Sequence, residues 1–375
     1  MKLLFAPSQE NAQGIESKEL WSLTALHLAG RHQVSCSVSP LQADHSKVEK
    51  LRSAGVEINV RTPPHPPLWN HFAPERLKAP CQTAFVKTLQ RVRPALVVIS
   101  QSGNTDIEPY ASDCRKAGVP YCSIVQAVPE IRHVPSDMEI PVLRRAYAGA
   151  QKVFFVSDRN REVLEKQMAF RMANADRCFN PVNLPYKKCL PFPESLDCVL
   201  ACVARTDFHD KGQDMILQIM DMKKWRERPV RLNFFGAGGN RQILQELIRY
   251  FGLQSVAYRG FCKNPVEIWE THQALVLPSR QEGLPLALVE AAWCGRPAIV
   301  TDIAGNGEVV IEGKTGFLAA APSVEDFDAA LERAWAAREA WSQMGLAAHQ
   351  HCRDYFPENP VADLAAKLEQ ICQAL

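Results

Sequence analysis

Short apolar runs alternate with helical stretches along the whole length of this chain. The first series of predicted strands comprises residues 3–6, 34–38, 56–60, 95–99, 121–125 and 153–156. Patterns typical of helices follow several of them, at residues 18–29, 109–117 and 159–168. Because strands and helices alternate in this way, the sequence predicts parallel sheets with helices on both faces.

A second series of strands is predicted at residues 198–203, 230–235, 255–258, 274–277 and 297–301. The stretch between the two series, residues 180–193, is rich in proline, which is typical of a linker. A length of 375 residues also exceeds one ordinary core, at roughly 150 residues per domain. We therefore predict an α/β chain of two doubly wound parallel-sheet (Rossmann-like) domains that face each other across a ligand-binding cleft. The predicted parts are residues 1–185, residues 186–358, and a C-terminal helix, residues 359–375, that packs back on the first domain.

Charge and composition narrow the classes of function. Lys and Arg total 43 against 41 Asp and Glu, which gives a net charge of +2. We therefore expect that the protein is not a dedicated nucleic-acid binder. The twelve cysteines form no CxxC pair and no Cys/His cluster at zinc spacing, which is typical of reduced cytosolic thiols. No signal peptide is evident at the start, and no run reaches the roughly 18–20 apolar residues of a membrane span. We expect a cytoplasmic protein whose membrane contact, if any, is peripheral and on the inner face.

Two glutamates, Glu282 and Glu290, frame the most informative segment of the chain. Pro285 suits the first position of a helix and Gly295 suits its end. The helix is apolar apart from Glu290, and a buried lone carboxylate needs a hydrogen-bonding partner. Glu282 precedes the helix start, where main-chain N–H groups attract anions. The segment predicts a site for a phosphorylated, hydroxyl-rich ligand; the alternative is a core glutamate paired with an arginine and a surface glutamate.

Two cations and a glycine turn follow strands of the second series. Arg205 stands at the carboxyl end of the first of these strands, and Lys211 at the start of the next helix. Such cations can neutralise a diphosphate and stabilise it as a leaving group, unless they are ordinary solvated side chains. Gly236 opens a Gly-Ala-Gly-Gly turn, but Arg241 stands where a dinucleotide fingerprint needs its third glycine. We interpret the turn as a close approach of the backbone to a ligand.

Several motifs of the second domain occur together. They are Arg205 with Lys211-Gly212, the Gly236 turn, Tyr258-Arg259-Gly260-Phe261, Leu277 to Pro285, Glu290 to Pro297, Thr301 to Glu308, and Gly313-Lys314-Thr315-Gly316-Phe317. With these motifs the chain resembles nucleotide-sugar glycosyltransferases of the GT-B fold, specifically glycosyltransferase family 4. The resemblance is dense over about residues 198–320 and thinner over the first domain.

The resemblance implies a role for each matching position. Glu290 binds the ribose hydroxyls of the donor nucleotide, and Glu282 holds hydroxyls of the donor sugar. Arg205 and Lys211 hold the diphosphate, and these two with Glu282 are the implied catalytic residues. The other implied donor-binding residues are Gly283, Leu284 and Pro285 at the helix start, Gly236, and Arg259, Gly260 and Phe261 facing the base. Acceptor-only carboxylates suit hydroxyl donors, and cations with a helix start suit phosphate.

In the first domain the resemblance implies acceptor-side or sugar-side roles for Gly14 and Gln126. Gly14 stands in a turn before a helix, where the family usually has a pair of glycines. Gln126 follows a strand at the position where the family often has a histidine. Glutamine can hydrogen-bond a sugar but carries no proton at useful pH. The polar loop from Ser100 to Asn104 is either a ligand-facing loop or a plain turn.

The remaining polar features are interpreted structurally. Asp326 and Asp328 form an Asp-x-Asp pattern, but Ser323 precedes Asp326 by three residues, which predicts a helix cap rather than a metal site. The basic run at residues 223–228 is expected to be a solvated helix end. His133 and His209 are expected to be ordinary loop side chains. The stretch at residues 62–75, rich in Pro and His, is expected to be a loop, with an acceptor or membrane contact as the alternative.

The implied reaction is a retaining transfer of a hexosyl group from a UDP- or GDP-sugar to an acceptor hydroxyl, in cell-envelope polysaccharide or glycolipid synthesis. No cofactor other than the nucleotide sugar and no essential metal are expected. The expected partners are the nucleotide sugar and a carbohydrate, lipid-linked or small-molecule acceptor. Two alternatives stay open: a catalytically degenerate nucleotide-sugar-binding protein, and a sugar-nucleotide epimerase or phosphorylase on the same fold.

Overall fold

The chain forms two compact units. The computed structural model describes residues 1–8, 20–61, 84–130, 135–185 and 187–375. The first unit comprises residues 1–181 and 359–375, and the second comprises residues 182–358. The boundary between them falls inside the proline-rich linker predicted from the sequence. Within the described ranges, no helix combines the length and the apolar character needed to cross a membrane.

The first unit is built on a seven-stranded sheet. Its strands are β1 (Lys2–Pro7), β2 (Gln33–Val38), β3 (Glu57–Val60), β4 (Leu96–Gln101), β5 (Tyr121–Val125), β6 (Val153–Phe155) and β7 (Ala175–Arg177). All of them pair in parallel, in the order β3-β2-β1-β4-β5-β6-β7. The succession reverses direction between β1 and β4, which makes the sheet doubly wound. Strand β7 was not predicted, because Ala-Asp-Arg carries no apolar run.

Helices cover this sheet. In the described residues they are α1 (Leu20–Ala29), α2 (Ser46–Ser53), α3 (Ala84–Val92), α4 (Glu108–Ala117), α5 (Ile140–Ala148) and α6 (Asp158–Gln167). The C-terminal helix, Pro360–Ala374, belongs to the same unit and packs against α1. Strands β4 and β5 are buried at every residue, as expected for parallel strands with both faces covered.

The second unit is built on a six-stranded sheet. Its strands are β8 (Cys198–Val203), β9 (Val230–Phe235), β10 (Val256–Gly260), β11 (Ala274–Leu277), β12 (Ala298–Thr301) and β13 (Gly316–Ala319). The parallel order is β10-β9-β8-β11-β12-β13, so the succession reverses between β8 and β11. The prediction of two doubly wound α/β domains is therefore confirmed.

The helices of the second unit are mostly short. They are α7 (Phe208–Lys211), α8 (Gln213–Asp221), α9 (Lys223–Arg226), α10 (Arg241–Tyr250), α11 (Pro265–Trp269), α12 (Leu286–Trp293), α13 (Asn306–Val309), α14 (Val324–Ala336) and α15 (Trp341–Tyr355), which leaves the C-terminal helix as α16. Pro285 is the residue that precedes the first turn of α12, one place earlier than predicted. Gly295 follows the end of α12 with φ of +75°, as a glycine at a helix end can.

Arg296 connects the linker to the rest of the second unit through hydrogen bonds. The residue is 1% exposed, and its guanidinium donates to the main-chain oxygens of Leu190 and Pro191 at 3.3 and 2.6 Å. It also donates from Nε to the main-chain oxygen of Trp269 at 2.9 Å. Burial lowers the pKa of Arg296 to about 10. In the described residues no carboxylate pairs with it, so carbonyl dipoles stabilise the charge.

The expectation that residues 223–228 form a solvated face holds for the exposed Lys223, Arg226 and Glu227 and is wrong for the rest of the run. Trp225 of α9 is 2% exposed, and its Nε1 donates to Oδ1 of Asp328 on α14 at 2.7 Å. The Lys224 ammonium lies 2.5 Å from Oδ2 of the same carboxylate. The Arg228 guanidinium lies 4.4 Å from the centre of the Trp225 ring. The basic run therefore joins two helices, because its aromatic residue is buried and two of its cations, Lys224 and Arg228, pair with acidic residues of α14.

Candidate functional site

The candidate site lies at the carboxyl ends of β8 and β11. These are the neighbouring strands between which the strand order of the second sheet reverses. The loop after β11 is tied to α7: the N–H groups of Arg280 and Gln281 donate to the carbonyl oxygen of Asp210 at 2.8 and 3.1 Å. Arg280 also forms a two-point ion pair with Asp214 of α8, at 2.7 and 2.8 Å, and this hydrogen bonding raises its pKa. These contacts join the two loops at the position where open α/β sheets bind ligands.

Lys211 and Glu282 form an ion pair across these loops. The distance from Lys211 Nζ to Glu282 Oε1 is 2.7 Å, and the two side chains are 15% and 7% exposed. Ser279 Oγ donates to the same Oε1 at 2.8 Å, and Ser279 is fully buried. Oε2 of Glu282 accepts no hydrogen bond from any described residue. The structure thus brings together two of the predicted site residues and leaves one carboxylate oxygen with unused acceptor capacity.

Arg205 lies on the loop that follows β8, and its side chain makes only weak contacts. Its guanidinium lies 3.5 Å from Asp207 Oδ2 and 3.3 Å from Asp210 Oδ2, and 53% of the side chain is exposed. Exposed ion pairs of this kind contribute only about 0–1 kcal/mol. The guanidinium can therefore exchange its carboxylate partners for another anion at little cost.

The glycines at this edge meet the protein's own backbone. A Cβ on Gly236, where φ is +136°, would lie 1.9 Å from the carbonyl oxygen of Ala204. A Cβ on Gly212, where φ is +64°, would lie 2.0 Å from the carbonyl oxygen of Pro278. The Gly236 turn therefore admits the loop that follows β8, and a close approach of a ligand to the turn stays a prediction. Both glycines bring the site loops close enough to share hydrogen bonds.

The start of α12 offers unpaired main-chain donors. Pro285 carries no capping side chain, and the first turn of α12 contains no acidic residue. No group of the described residues accepts the N–H of Gly283, Leu284, Leu286 or Ala287. Free N–H groups at the positive end of the helix dipole favour a bound anion.

Glu290 is buried inside α12. It is 3% exposed, and its Oε1 accepts the main-chain N–H of Asn183 at 3.0 Å. Burial raises the pKa of the Glu290 carboxyl, and hydrogen bonding from Asn183 opposes part of this rise. Within the described part of the chain no arginine or lysine pairs with it, so the alternative of a glutamate neutralised by an arginine does not hold there. The carboxylate keeps acceptor capacity that the fold does not use.

The end of β10 presents a cation and an aromatic ring. Arg259 donates from Nε to Asn233 Oδ1 at 2.9 Å, and Asn233 Nδ2 lies 3.0 Å from His272 Nε2. Burial lowers the pKa of His272, so its ring is suited to accept from Asn233 rather than to carry a charge. The residue Phe261 is 75% exposed, and Gly260 has φ of +81°.

The sequence assigned fewer residues of the first unit, and two of them, Gly14 and His133, lie outside the described residues, as does the stretch 62–75. Gln126 follows β5 and is 5% exposed. Its Oε1 accepts from Asn180 Nδ2 at 2.8 Å, whereas its Nε2 is enclosed without an acceptor among the described residues. The amide group of Gln126 therefore keeps a donor that the described residues do not use.

The polar loop after β4 is fixed by one carboxylate. Asp106 Oδ2 accepts from Ser8 Oγ at 3.0 Å and from the N–H groups of Ser102 and Gly103 at 3.1 Å. Ser8 follows β1, so Asp106 joins the loops that follow the two strands between which the first sheet reverses. These hydrogen bonds give the loop a structural role, which agrees with the plain turn that was one of its two interpretations.

The Asp-x-Asp pair takes part in helix contacts, of which the cap at Asp326 is the one that its spacing predicted. Ser323 caps α14 by accepting the N–H of Asp326 at 3.0 Å, and Asp328 binds α9. His209, on α7, lies 3.0 Å from Asp210. Among the described residues, no three His, Cys, Asp or Glu side chains are grouped as a metal site requires.

Sequence reasoning missed three residues that organise the site. Ser279 donates a hydrogen bond to Glu282, and Asp210 accepts one from Arg205. The main-chain N–H of Asn183 donates to Glu290. The only sequence signal for Ser279 is a hydroxyl three residues before Glu282 at a strand end. Asn183 gives no local signal, because it lies 107 residues before its partner.

With its two doubly wound parallel sheets, the chain has the GT-B fold found in glycosyltransferases. The structure of HepE from Anabaena in complex with UDP matches 100% of both chains with a TM-score of 0.76 and 18% sequence identity. The apo form of WaaB, a lipopolysaccharide outer core galactosyltransferase, matches 98% of this chain and 100% of its own, with a TM-score of 0.71 and 16% identity. At these identities the likeness shows the fold.

Sequence similarity concentrates in part of the chain. Residues 197–337 match the family model described as Glycosyl transferases group 1. The D-inositol 3-phosphate glycosyltransferase of Gordonia bronchialis is 27% identical over 108 residues, 29% of this chain and 24% of that protein. The GDP-mannose-dependent alpha-(1-6)-phosphatidylinositol monomannoside mannosyltransferase of Mycolicibacterium smegmatis is 27% identical over 169 residues, 42% of this chain and 43% of that protein. The chain thus spans less than half the length of these curated relatives.

Proposed function

We propose that this protein is a retaining glycosyltransferase that moves a hexosyl group from a UDP- or GDP-sugar to an acceptor hydroxyl. One observation carries the proposal: the Lys211–Glu282 ion pair stands beside the uncapped start of the helix that buries Glu290. A cation, free N–H groups and two carboxylates with unused acceptor capacity match the diphosphate, the sugar and the ribose of a nucleotide sugar.

The proposed chemistry is electrostatic. Lys211, Arg205 and the N–H groups at the start of α12 bind the diphosphate. As the bond between the anomeric carbon and the phosphate oxygen breaks, negative charge grows on the diphosphate. These donors then stabilise the transition state more than the ground state. The acceptor oxygen attacks from the face that the diphosphate leaves, and its proton passes to the departing phosphate oxygen, so the anomeric configuration is retained.

The two carboxylates orient the donor. Oε2 of Glu282 accepts from a hydroxyl of the sugar, and Glu290 accepts from the ribose hydroxyls. Arg259, Gly260 and Phe261 line the base at the end of β10. Gly236 shapes the loop that carries Arg205. Gly14 and Gln126 stay proposed residues of the acceptor or sugar side, with Gln126 acting as a hydrogen-bond donor rather than as a proton carrier.

The class of acceptor is inferred from relatives. WaaB is described as acting on the lipopolysaccharide outer core, and the M. smegmatis relative on a phosphatidylinositol mannoside. We infer that this enzyme works in cell-envelope polysaccharide or glycolipid synthesis, in the cytoplasm, that any membrane contact is peripheral, and that it needs no essential metal or other cofactor.

Product analysis tests the reaction. The protein is incubated with UDP- and GDP-hexoses and candidate acceptors, and the anomeric proton of the product is followed by NMR. The expected result is a glycoside with the donor's configuration, formed equally well in the presence of EDTA. Arg205→Ala and Lys211→Ala should each lower kcat by roughly 100-fold, because each removes a charge that meets the leaving group.

Arg333→Ala is the matched control, because Arg333 is also about half exposed and also pairs with a carboxylate of the second unit, Glu312 at 2.9 Å. Its turnover should equal that of the wild type. If Arg205→Ala and Lys211→Ala both kept full turnover, the account would be wrong. An epimerised donor would identify an epimerase, a sugar phosphate formed from inorganic phosphate would identify a phosphorylase, and binding without turnover would identify a degenerate binding protein.

A further inference from the structure

Ser279 is a buried hydroxyl whose contact is with a proposed catalytic residue. It lies two residues after the end of β11 and is fully buried. Its Oγ donates to Oε1 of Glu282 at 2.8 Å, and Lys211 Nζ lies 2.7 Å from the same oxygen. Two donors on one oxygen fix the rotation of the carboxylate, and Oε2 is the oxygen that they leave open.

We propose that Ser279 is a positioning residue that orients the Glu282 carboxylate. In this orientation Oε2 accepts a hydrogen bond from a hydroxyl of the donor sugar, while Lys211 stays directed to the diphosphate. This inference rests on the proposed function. The physical reason is that a carboxylate on a flexible side chain, held by an ammonium alone, can rotate about its last bond, whereas a second donor of fixed position removes that freedom. Ser279 can supply that fixed position because it is enclosed at the end of a buried strand.

Ser279 could instead be only a buried polar group that the fold must satisfy. In that case its removal would lower stability, and any effect on the reaction would not depend on Glu282. A double-mutant cycle separates the two roles, because residues that act through one another are not additive.

The cycle uses Ser279→Ala, Glu282→Ala and the double variant, each with kcat, KM, melting temperature, and the Kd values of the nucleotide sugar and the bare nucleotide diphosphate. Ser279→Ala should lower kcat/KM about tenfold, the effect of one hydrogen bond to a charged group. It should weaken binding of the nucleotide sugar but leave binding of the nucleotide diphosphate within about twofold. In the Glu282→Ala background its effect on kcat/KM should shrink to less than about twofold.

Ser323→Ala is the control, because it removes another hydroxyl of the second unit, the cap of α14. It should lower the melting temperature and leave kcat and KM unchanged. The inference is overturned if Ser279→Ala behaves like this control, or if it costs the same factor with and without Glu282. A wild type that binds and transfers no sugar would overturn the proposed function and the inference together, whereas an active wild type with an unaltered Ser279→Ala variant overturns the inference alone.

Discussion

Glu290 lowers the stability of the free protein while it serves the proposed site. Its pKa is raised above the usual 4.5 because the side chain is buried. In the unfolded chain the carboxyl ionises near its usual pKa, whereas in the folded protein it ionises only at higher pH. As pH rises through this window the unfolded state releases its proton first, so the free energy of unfolding falls. The loss is complete once the pH exceeds the folded pKa.

We predict that Glu290→Gln raises the melting temperature at neutral pH and that this gain disappears below the usual glutamate pKa. The amide oxygen can still accept from Asn183, so the hydrogen bond is kept while the buried charge is removed. Affinity for the nucleotide sugar should fall by about tenfold or more, because an interaction with a charged acceptor is lost. Differential scanning calorimetry at both pH values measures the first effect.

Glu246→Gln is the control, since Glu246 on α10 is exposed. It should change the melting temperature little at either pH. A Glu290→Gln protein that is less stable than the wild type at neutral pH would contradict the account.

Substitution of Gly212 and of Gly252 by alanine distinguishes the cost of a positive φ from the cost of close packing. Their φ values are +64° and +62°, but an added Cβ meets the Pro278 oxygen at 2.0 Å in the first case and nothing within 4 Å in the second. Gly252→Ala should cost about 1 kcal/mol of unfolding free energy for the φ value alone. Gly212→Ala should cost about 1–3 kcal/mol more, because the loop after β11 must move. Urea denaturation of both variants checks this, and equal losses would refute it.

At the residue scale the sequence indicates candidate side chains and not how they are joined. Glu290 is a lone carboxylate in an apolar helix and Glu282 precedes that helix, whereas Arg205 and Lys211 are cations placed to meet a diphosphate. Which oxygen meets which donor depends on contacts between distant parts of the chain, such as that of Asn183 with Glu290. No periodicity in the sequence carries that information.

At the element scale, the strands that form an apolar run are predicted from the sequence, short ones included, whereas β7 and β13 are not. Parallel strands buried on both faces leave a continuous hydrophobic signature, as β4 and β5 do. Strand β7 lacks this signature, and β13 begins with a glycine, so neither was predicted. The prediction of a solvated face at residues 223–228 fails at Trp225, because the pattern of charges does not reveal that α14 lies opposite α9.

The contact between α9 and α14 yields a stability prediction. Asp328→Ala removes the acceptor of Trp225 and the ion-pair partner of Lys224, so it should lower the unfolding free energy by about 2–3 kcal/mol. Turnover should not change, because Asp328 binds neither substrate nor metal in this account. The exposed Glu325 on the same helix provides the control, and Glu325→Ala should cost less than about 1 kcal/mol. A loss of turnover in folded Asp328→Ala, restored by added divalent metal, would contradict this interpretation.

At the scale of the whole molecule, the sequence predicted two doubly wound α/β units because alternation of strands and helices permits few other arrangements. The order of strands then places the loops after β8 and β11 side by side, which is why Lys211 and Glu282 meet. Residues 359–375, which the sequence predicts to pack back on the first domain, belong to the first unit, where α16 contacts α1.

Binding of nucleotides to the wild type and to Glu290→Ala tests the central claim most directly. Melting temperatures are measured with UDP, GDP, ADP and their sugars at concentrations well above the expected Kd. A ligand at 100 times its Kd adds about 2.7 kcal/mol to the stability of the folded state. We predict that the wild type is stabilised by one nucleotide and its sugar, and that the same ligands fail to stabilise Glu290→Ala. Stabilisation by none of them, or an equal shift in Glu290→Ala, would contradict the account.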